Sequence, residues 1–67
     1  MEYEIKAYKR RPDGSYEQLP GGHQISGYSL EQLERMAKAT VRDTHGVDRA
    51  TVVSVHDGKV LFIWPED

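Results

Sequence analysis

The side chains best suited to hold an anion cluster near the start of the chain. Lysine and arginine contact phosphate oxygens, and tyrosine rings stack on nucleobases. Six such residues flank or form the stretch KRRPDGSY: Lys6, Lys9, Arg10, Arg11, Tyr8 and Tyr16. This pattern is consistent with a small nucleic-acid-binding accessory protein that uses its first hairpin.

The same residues also fit a solvated hairpin end. The acidic residues Glu2, Glu4, Asp13 and Glu17 weaken the local positive field, and the formal net charge of the chain is −2. Edge strands also carry lysine and arginine simply to prevent unwanted strand pairing. Alternation along a strand would send Lys9 and Arg10 to opposite faces. Nucleic-acid binding is therefore the second of two functional hypotheses, and DNA is one possible ligand.

Candidate catalytic and metal-binding residues are sparse. The three histidines, His23, His45 and His56, have neither the helical nor the hairpin spacing of metal ligands. Ser54 and His56 are two positions apart beside Asp57, which gives proximity without a pocket. We therefore predict no enzyme activity, no catalytic residues, no metal, no cofactor and no small-molecule substrate.

Length and composition limit the architecture. The chain has 67 residues and no cysteine, so it is expected to form a single domain, 1–67, with a small core and no disulfide. Small chains that lack disulfides commonly gain stability by self-association. No stretch resembles a signal peptide or a membrane span, and we expect a cytoplasmic protein without a membrane partner.

The periodicity of the sequence predicts an α+β fold of order β-β-α-β-β. Residues 2–9 alternate between apolar and polar types, which is typical of a half-buried strand, and Pro12-Asp13-Gly14 favours a turn into a second strand. Ser29 followed by Gln32 predicts a capping box, so one amphipathic helix should begin near Leu30. It should pack on one face of a mostly antiparallel four-stranded sheet. Residues 23–26 form either a further short strand or a loop.

The last two strands flank Asp57-Gly58, a dipeptide typical of two-residue hairpin turns. Such a turn would pair His56 with Lys59 and Val53 with Phe62. The helix-facing residues would then be Thr51, Val53, Val55, Val60, Phe62 and Trp64. The opposite face would hold Ala50, Val52, Ser54, His56, Lys59, Leu61 and Ile63.

Apolar residues on a sheet face that a single helix cannot cover indicate an interaction surface. The predicted protein-interaction residues are Val52, Leu61, Ile63, Ser54 and His56. The alternative is that the loop 20–28, Tyr8 or the C-terminal tail covers them. We predict a non-enzymatic protein-protein interaction domain, accessory or regulatory in role, that forms a homodimer through this face or along an edge strand.

Overall fold

The computed structural model describes residues 2–20 and 23–65, except for the side chain of His23. One α-helix packs on one face of an antiparallel sheet, which confirms the predicted α+β architecture. The sheet has five strands rather than four, because residues 23–26 form a strand. The elements are β1 Glu2–Arg10, β2 Tyr16–Gln18, β3 His23–Ser26, α1 Leu30–Asp43, β4 Arg49–Ser54 and β5 Val60–Trp64.

The long strand β1 organises the sheet. Its C-terminal half pairs with β2 and its N-terminal half with β3, so these two short strands lie end to end along one side of it. β4 pairs along the other side of β1, and β5 pairs with β4. The sheet therefore ends on one side in two short strands and on the other side in β5.

The predicted first hairpin is confirmed. Its turn is closed by the N–H of Gly14, which donates to the carbonyl of Arg11 at 2.9 Å, and Gly14 has a φ of +90°. Asp13 Oδ1 accepts hydrogen bonds from the main-chain N–H of Ser15 at 2.9 Å and from its hydroxyl at 2.6 Å. A positive φ is easy for glycine because it has no Cβ, which is why the turn requires Gly14.

The helix begins as the capping box predicts. The N–H of Gln32 donates to Ser29 Oγ at 3.2 Å, and the N–H of Ser29 donates to Gln32 Oε1 at 2.9 Å. These two bonds satisfy donors that a helix start leaves unpaired. The buried residues of α1, Leu33 and Ala37, are four positions apart and therefore share one stripe.

The core lies between that stripe and the sheet. It consists of Ile5, Leu33, Ala37, Ala50 and Val52, with Tyr3, Ile25, Met36, Val41 and Phe62 packed against it. Burying a side chain such as Leu33 or Val52 contributes roughly 1.5–3 kcal/mol. With so few large side chains in it, the core supports only a modest stability.

The predicted register of the second hairpin is wrong by two residues beside the turn, where Val60 pairs with Val53 instead of Val55, and by one residue beyond the bulge. Phe62 pairs with Val52 instead of Val53, and Thr51 pairs with Ile63. The reason is the turn: Ser54 accepts from the N–H of Gly58 and donates its own N–H to the carbonyl of Lys59, both at 2.8 Å. The connection therefore spans residues 55–59 rather than two residues, and a bulge follows where the pairing shifts between Val52 and Val53.

A one-residue slip moves a strand's side chains to the other face of the sheet. Ala50 and Val52 thus face α1, whereas Thr51 and Val53 lie on the face turned away from it, which we call the open face. Phe62 and Trp64 face α1, as predicted, and Leu61 and Ile63 lie on the open face. Val60 and Leu61 both lie opposite Val53 at the bulge, so they join that face as well.

Candidate functional site

The outer strand β5 is the most apolar exposed element of the described chain. The exposed fractions of Val60, Leu61 and Ile63 are 53%, 42% and 36%. A shallow groove runs along this strand, lined by Val60, Leu61, Phe62 and Ile63. We call Val60, Leu61, Phe62 and Ile63, with their main-chain groups, the β5 edge.

The hydrogen-bond pattern shows which main-chain groups of β5 point outward. The N–H of Val55 donates to the carbonyl of Glu2 at 3.2 Å, whereas the N–H of Ser54 donates to Lys59. Odd residues of β4 thus bond to β1 and even residues bond to β5, because the direction of these groups alternates along a strand. Phe62 and Trp64 lie opposite the even residues Val52 and Ala50. The N–H and C=O of Leu61 and Ile63 therefore point away from β4, toward the unpaired edge of the sheet.

The predicted interaction residues do not all reach this surface. Val52 is fully buried beneath α1 and Ser54 is also buried, so neither lies on an exposed patch as predicted. Both errors follow from the register slip and from the position of Ser54 at the start of the turn. His56 is exposed but lies in the connection 55–59, outside the β5 edge. Leu61 and Ile63 are exposed together, and their role in binding stays a prediction.

The N-terminal basic residues divide between the two faces. Lys6, Tyr8 and Arg10 lie on the open face, because Ile5, which precedes them, faces the core and side chains alternate between the two faces along β1. Tyr16 pairs with Arg10 and so joins them. Lys9 lies on the other face opposite Glu17, and Arg11 Nε lies 3.6 Å from Glu17 Oε1. Alternation along the strand therefore decides which of the six predicted residues come together.

A fifth residue, Arg49, completes this group and was missed by the sequence analysis. It pairs with Tyr8, and its guanidinium carbon lies 4.0 Å from the ring centroid of Tyr16, so the side chain reaches across β1. The sequence shows that Arg49 directly precedes a predicted strand. It does not show that this strand pairs with β1, and that pairing is what brings Arg49 beside Tyr8 and Tyr16. We call Lys6, Tyr8, Arg10, Tyr16 and Arg49 the basic face.

The helix side of β5 carries a separate aromatic pair. The rings of Phe62 and Trp64 are stacked, with centroids 6.5 Å apart and planes 5° from parallel. Lys38 of α1 places its Nζ 4.7 Å from the Trp64 centroid and 5.9 Å from that of Phe62. This arrangement fixes β5 to the helix and leaves the strand's open edge unobstructed.

The arrangement of Ser54, His56 and Asp57 does not resemble a hydrolytic site. Ser54 is buried, and Asp57 Oδ1 accepts the N–H of Lys59 at 3.1 Å. That main-chain hydrogen bond is the largest cause that lowers the pKa of Asp57, and a hydrogen bond from the Ser54 side chain adds to it. The aspartate therefore serves the turn.

No group of three or more histidine, cysteine, aspartate or glutamate side chains within the described residues is placed to hold a metal ion. The described part of the chain also has no helix with the length and apolar content of a membrane span.

No protein-family model, curated protein or solved structure matches the chain. The surfaces described above are therefore the basis for the proposed function.

Proposed function

We propose that the protein is a non-enzymatic protein-protein interaction module that self-associates through the β5 edge. One observation carries the proposal: the apolar edge strand β5 presents the outward N–H and C=O groups of Leu61 and Ile63 beside their exposed side chains. An edge strand of this kind is a template for a further strand.

A second copy fits this edge in an antiparallel arrangement. With a two-fold axis at Phe62, Leu61 of each copy lies opposite Ile63 of the other, and both have outward main-chain groups. Each Leu61–Ile63 pair exchanges two hydrogen bonds, so the two pairs together form about four. The contact uses the same patch on both copies, as closed two-fold symmetry requires.

The small core supports this choice. A chain of this size buries only about 60% of the surface that its unfolded state exposes, and it gains from burying more. Pairing of two β5 strands would cover Leu61 and Ile63 without any rearrangement of α1. Stacking of two open faces is less favourable, because the basic face would bring the like charges of Lys6, Arg10 and Arg49 under the apposed sheet.

We propose binding rather than catalysis because Ser54, two positions from His56, is buried and Asp57 is engaged by its own turn. The cytoplasm is the proposed compartment, since a cysteine-free chain needs no oxidising environment to fold.

The test is molar mass by light scattering over a wide range of protein concentration. We expect wild type to shift from monomer to dimer as concentration rises. Leu61→Lys should remain monomeric, because the lysine places a charge inside the paired edge. The matched control is Leu30→Lys, since Leu30 has an exposed fraction of 41%, close to the 42% of Leu61, but belongs to the first turn of α1 and not to the β5 edge.

Circular dichroism of both variants separates loss of association from loss of folding. A wild-type protein that stays monomeric at every concentration overturns the proposal. Equal effects of the two lysine substitutions would also overturn it, because the β5 edge would then have no special role.

A further inference from the structure

The basic face carries three positive charges that no ion pair of the described residues neutralises. Lys6, Arg10 and Arg49 make no ion pair within the described part of the chain. The nearby carboxylate of Asp48 accepts the main-chain N–H of Arg10 at 2.7 Å, so it is already engaged. Glu4 lies on the same face two positions before Lys6, and Asp48 lies beside Arg10, so the three cations outnumber two nearby carboxylates. The remaining positive charge makes this part of the face a local site for an anion.

The side chain of Arg49 is restrained by a contact with a neighbouring aromatic ring. Its guanidinium lies over the ring of Tyr16 with its carbon 4.0 Å from the ring centroid. This contact restrains the position of the guanidinium, whose terminal N–H groups can donate to phosphate oxygens.

Two polar atoms beside the stack also lack partners. Arg49 Nε and the hydroxyl of Thr51 are covered by their surroundings and form no hydrogen bond within the described residues. Thr51 is 6% exposed and lies between Lys6 and Ile63 in the sheet. Buried polar groups are normally hydrogen-bonded, so these two atoms are a local cost to folding, and a ligand would have to contact the terminal guanidinium nitrogens of Arg49 instead.

We propose that the basic face binds single-stranded nucleic acid. Lys6, Arg10 and Arg49 contact successive phosphates, and the ring of Tyr8 stacks on a base. Lys6 and Arg10 are four residues apart on β1, which at about 3.3 Å per residue spaces their Cα atoms by roughly 13 Å, enough for more than one nucleotide. The proposal concerns a different part of the sheet from the β5 edge and does not depend on self-association.

The shape of the surface favours a single strand over a duplex. Tyr8 and Tyr16 are half-buried, and Arg49 lies over the ring of Tyr16, so Tyr8 is the ring that a base can contact. A sheet face with a partly exposed ring can receive a splayed base, whereas duplex DNA is commonly read by an element that projects into a groove. The first hairpin lies at the end of the basic face, and there Arg11 is engaged by Glu17. An acidic peptide would use the three cations but would leave Tyr8 without a stacking partner.

The experiment is fluorescence anisotropy with a labelled single-stranded thymidine oligonucleotide of about 12 nucleotides, a length within the range that small sheet domains cover. Three phosphate contacts predict a slope of about −2 for log K against log salt, so affinity should fall about 16-fold between about 50 and 200 mM salt. Lys6→Gln and Arg10→Gln should each reduce the slope by about 0.7.

Lys9→Gln is the matched control, because Lys9 is on the same strand but on the opposite face. It should leave affinity and slope close to the wild-type values. Tyr8→Leu should weaken binding by about five-fold or more with an unchanged slope, since it removes stacking and no charge. Leu61→Ser, which shortens the apolar side chain of the β5 edge without adding a charge to the open face, should bind as wild type does, which separates this proposal from the self-association of β5.

Several results would overturn the proposal: no binding at low salt, a Lys9→Gln effect equal to that of Lys6→Gln, or tighter binding to a duplex of the same length. Displacement of the probe by polyglutamate as readily as by unlabelled oligonucleotide would also overturn it, because the site would then recognise negative charge alone.

Discussion

Two regions of the sheet present opposite chemistry. Both regions lie on the open face. The region formed by β1, β2 and the start of β4 carries Lys6, Arg10 and Arg49, whereas the region formed by β5 carries Leu61 and Ile63. Both belong to one continuous antiparallel sheet and share one core. A single sheet thus separates a basic surface from an apolar one by its strand order.

The two edges differ in the same way. β2 has three residues and β3 has four, and Arg11 and Glu17 form an ion pair beside the first of them. Short, charged strands are a common protection against edge pairing. β5 has five residues with the sequence VLFIW and no charge. One edge is thus protected and the other is open to a partner strand.

The largest expected effect is on the free energy of unfolding, and it distinguishes a buried valine of β4 from an exposed valine of β5. Val52 is 0% exposed and Val60 is 53% exposed. Val52→Lys should unfold the protein, because an unpaired buried charge costs about 3–5 kcal/mol and a domain of this size has little more to lose. Val60→Lys should change the free energy of unfolding by about 0.5 kcal/mol or less. Urea denaturation followed by circular dichroism measures both.

Val52→Ala provides a milder version of the same test and should cost about 2 kcal/mol. If Val60→Lys proved as damaging as Val52→Lys, the observed register, and with it the distinction between the two faces, would be wrong.

A smaller effect compares the cation–aromatic contacts of the two sides. Lys38 lies over Trp64 and Phe62 on the helix side, and Arg49 lies over Tyr16 on the open face. Lys38→Ala and Arg49→Ala should each lower the free energy of unfolding by about 0.5–1 kcal/mol, a typical value for exposed contacts of this kind. Only Arg49→Ala should also weaken oligonucleotide binding. A binding loss in Lys38→Ala equal to that in Arg49→Ala would remove the distinction between the two clusters.

The smallest effect concerns acid stability and compares the two turns. The pKa of Asp13 is lowered chiefly by the hydrogen bond from the Ser15 side chain, and that of Asp57 chiefly by the N–H of Lys59. A carboxylate with a lowered pKa in the folded state stabilises above its unfolded pKa, and this contribution is lost as pH falls through the folded value. We therefore expect both turns to weaken below about pH 4.

Asp13→Asn and Asp57→Asn should each flatten the fall in the melting temperature over that acidic range, as measured by calorimetry. An unchanged pH profile in both variants would show that neither aspartate contributes to acid sensitivity through its turn.

The local elements could be predicted from the sequence because their causes are local. Ser29 and Gln32 determine the start of α1 through hydrogen bonds between residues three apart. The alternation of Tyr3, Ile5 and Ala7 is a property of β1 alone, and it correctly predicts that Ile5 is buried. The turn at Gly14 follows from the conformational freedom of one residue.

The register of the second hairpin could not be predicted in the same way. Asp57-Gly58 is compatible with a two-residue turn, but the carbonyl of Ser54 captures the N–H of Gly58 and lengthens the connection. The longer connection shifts the pairing by two residues, and the bulge, with one extra residue in β5, reduces the shift to one, so that Val52 and not Val53 faces the helix. The free energy difference lies in the packing of Val52 against Leu33 and Ile5, which are distant in sequence.

The basic face shows the same division. The sequence determined that Lys6, Tyr8 and Arg10 share a side of β1, because alternation is a local property of an extended chain. Only the tertiary structure decided that Arg49 joins them, since this required β4 to pair with β1 and the Arg49 side chain to cross to Tyr16. It also decided that β5 is an outer strand. Strand order depends on long-range pairing that no local pattern encodes, and it alone determines where the two surfaces lie.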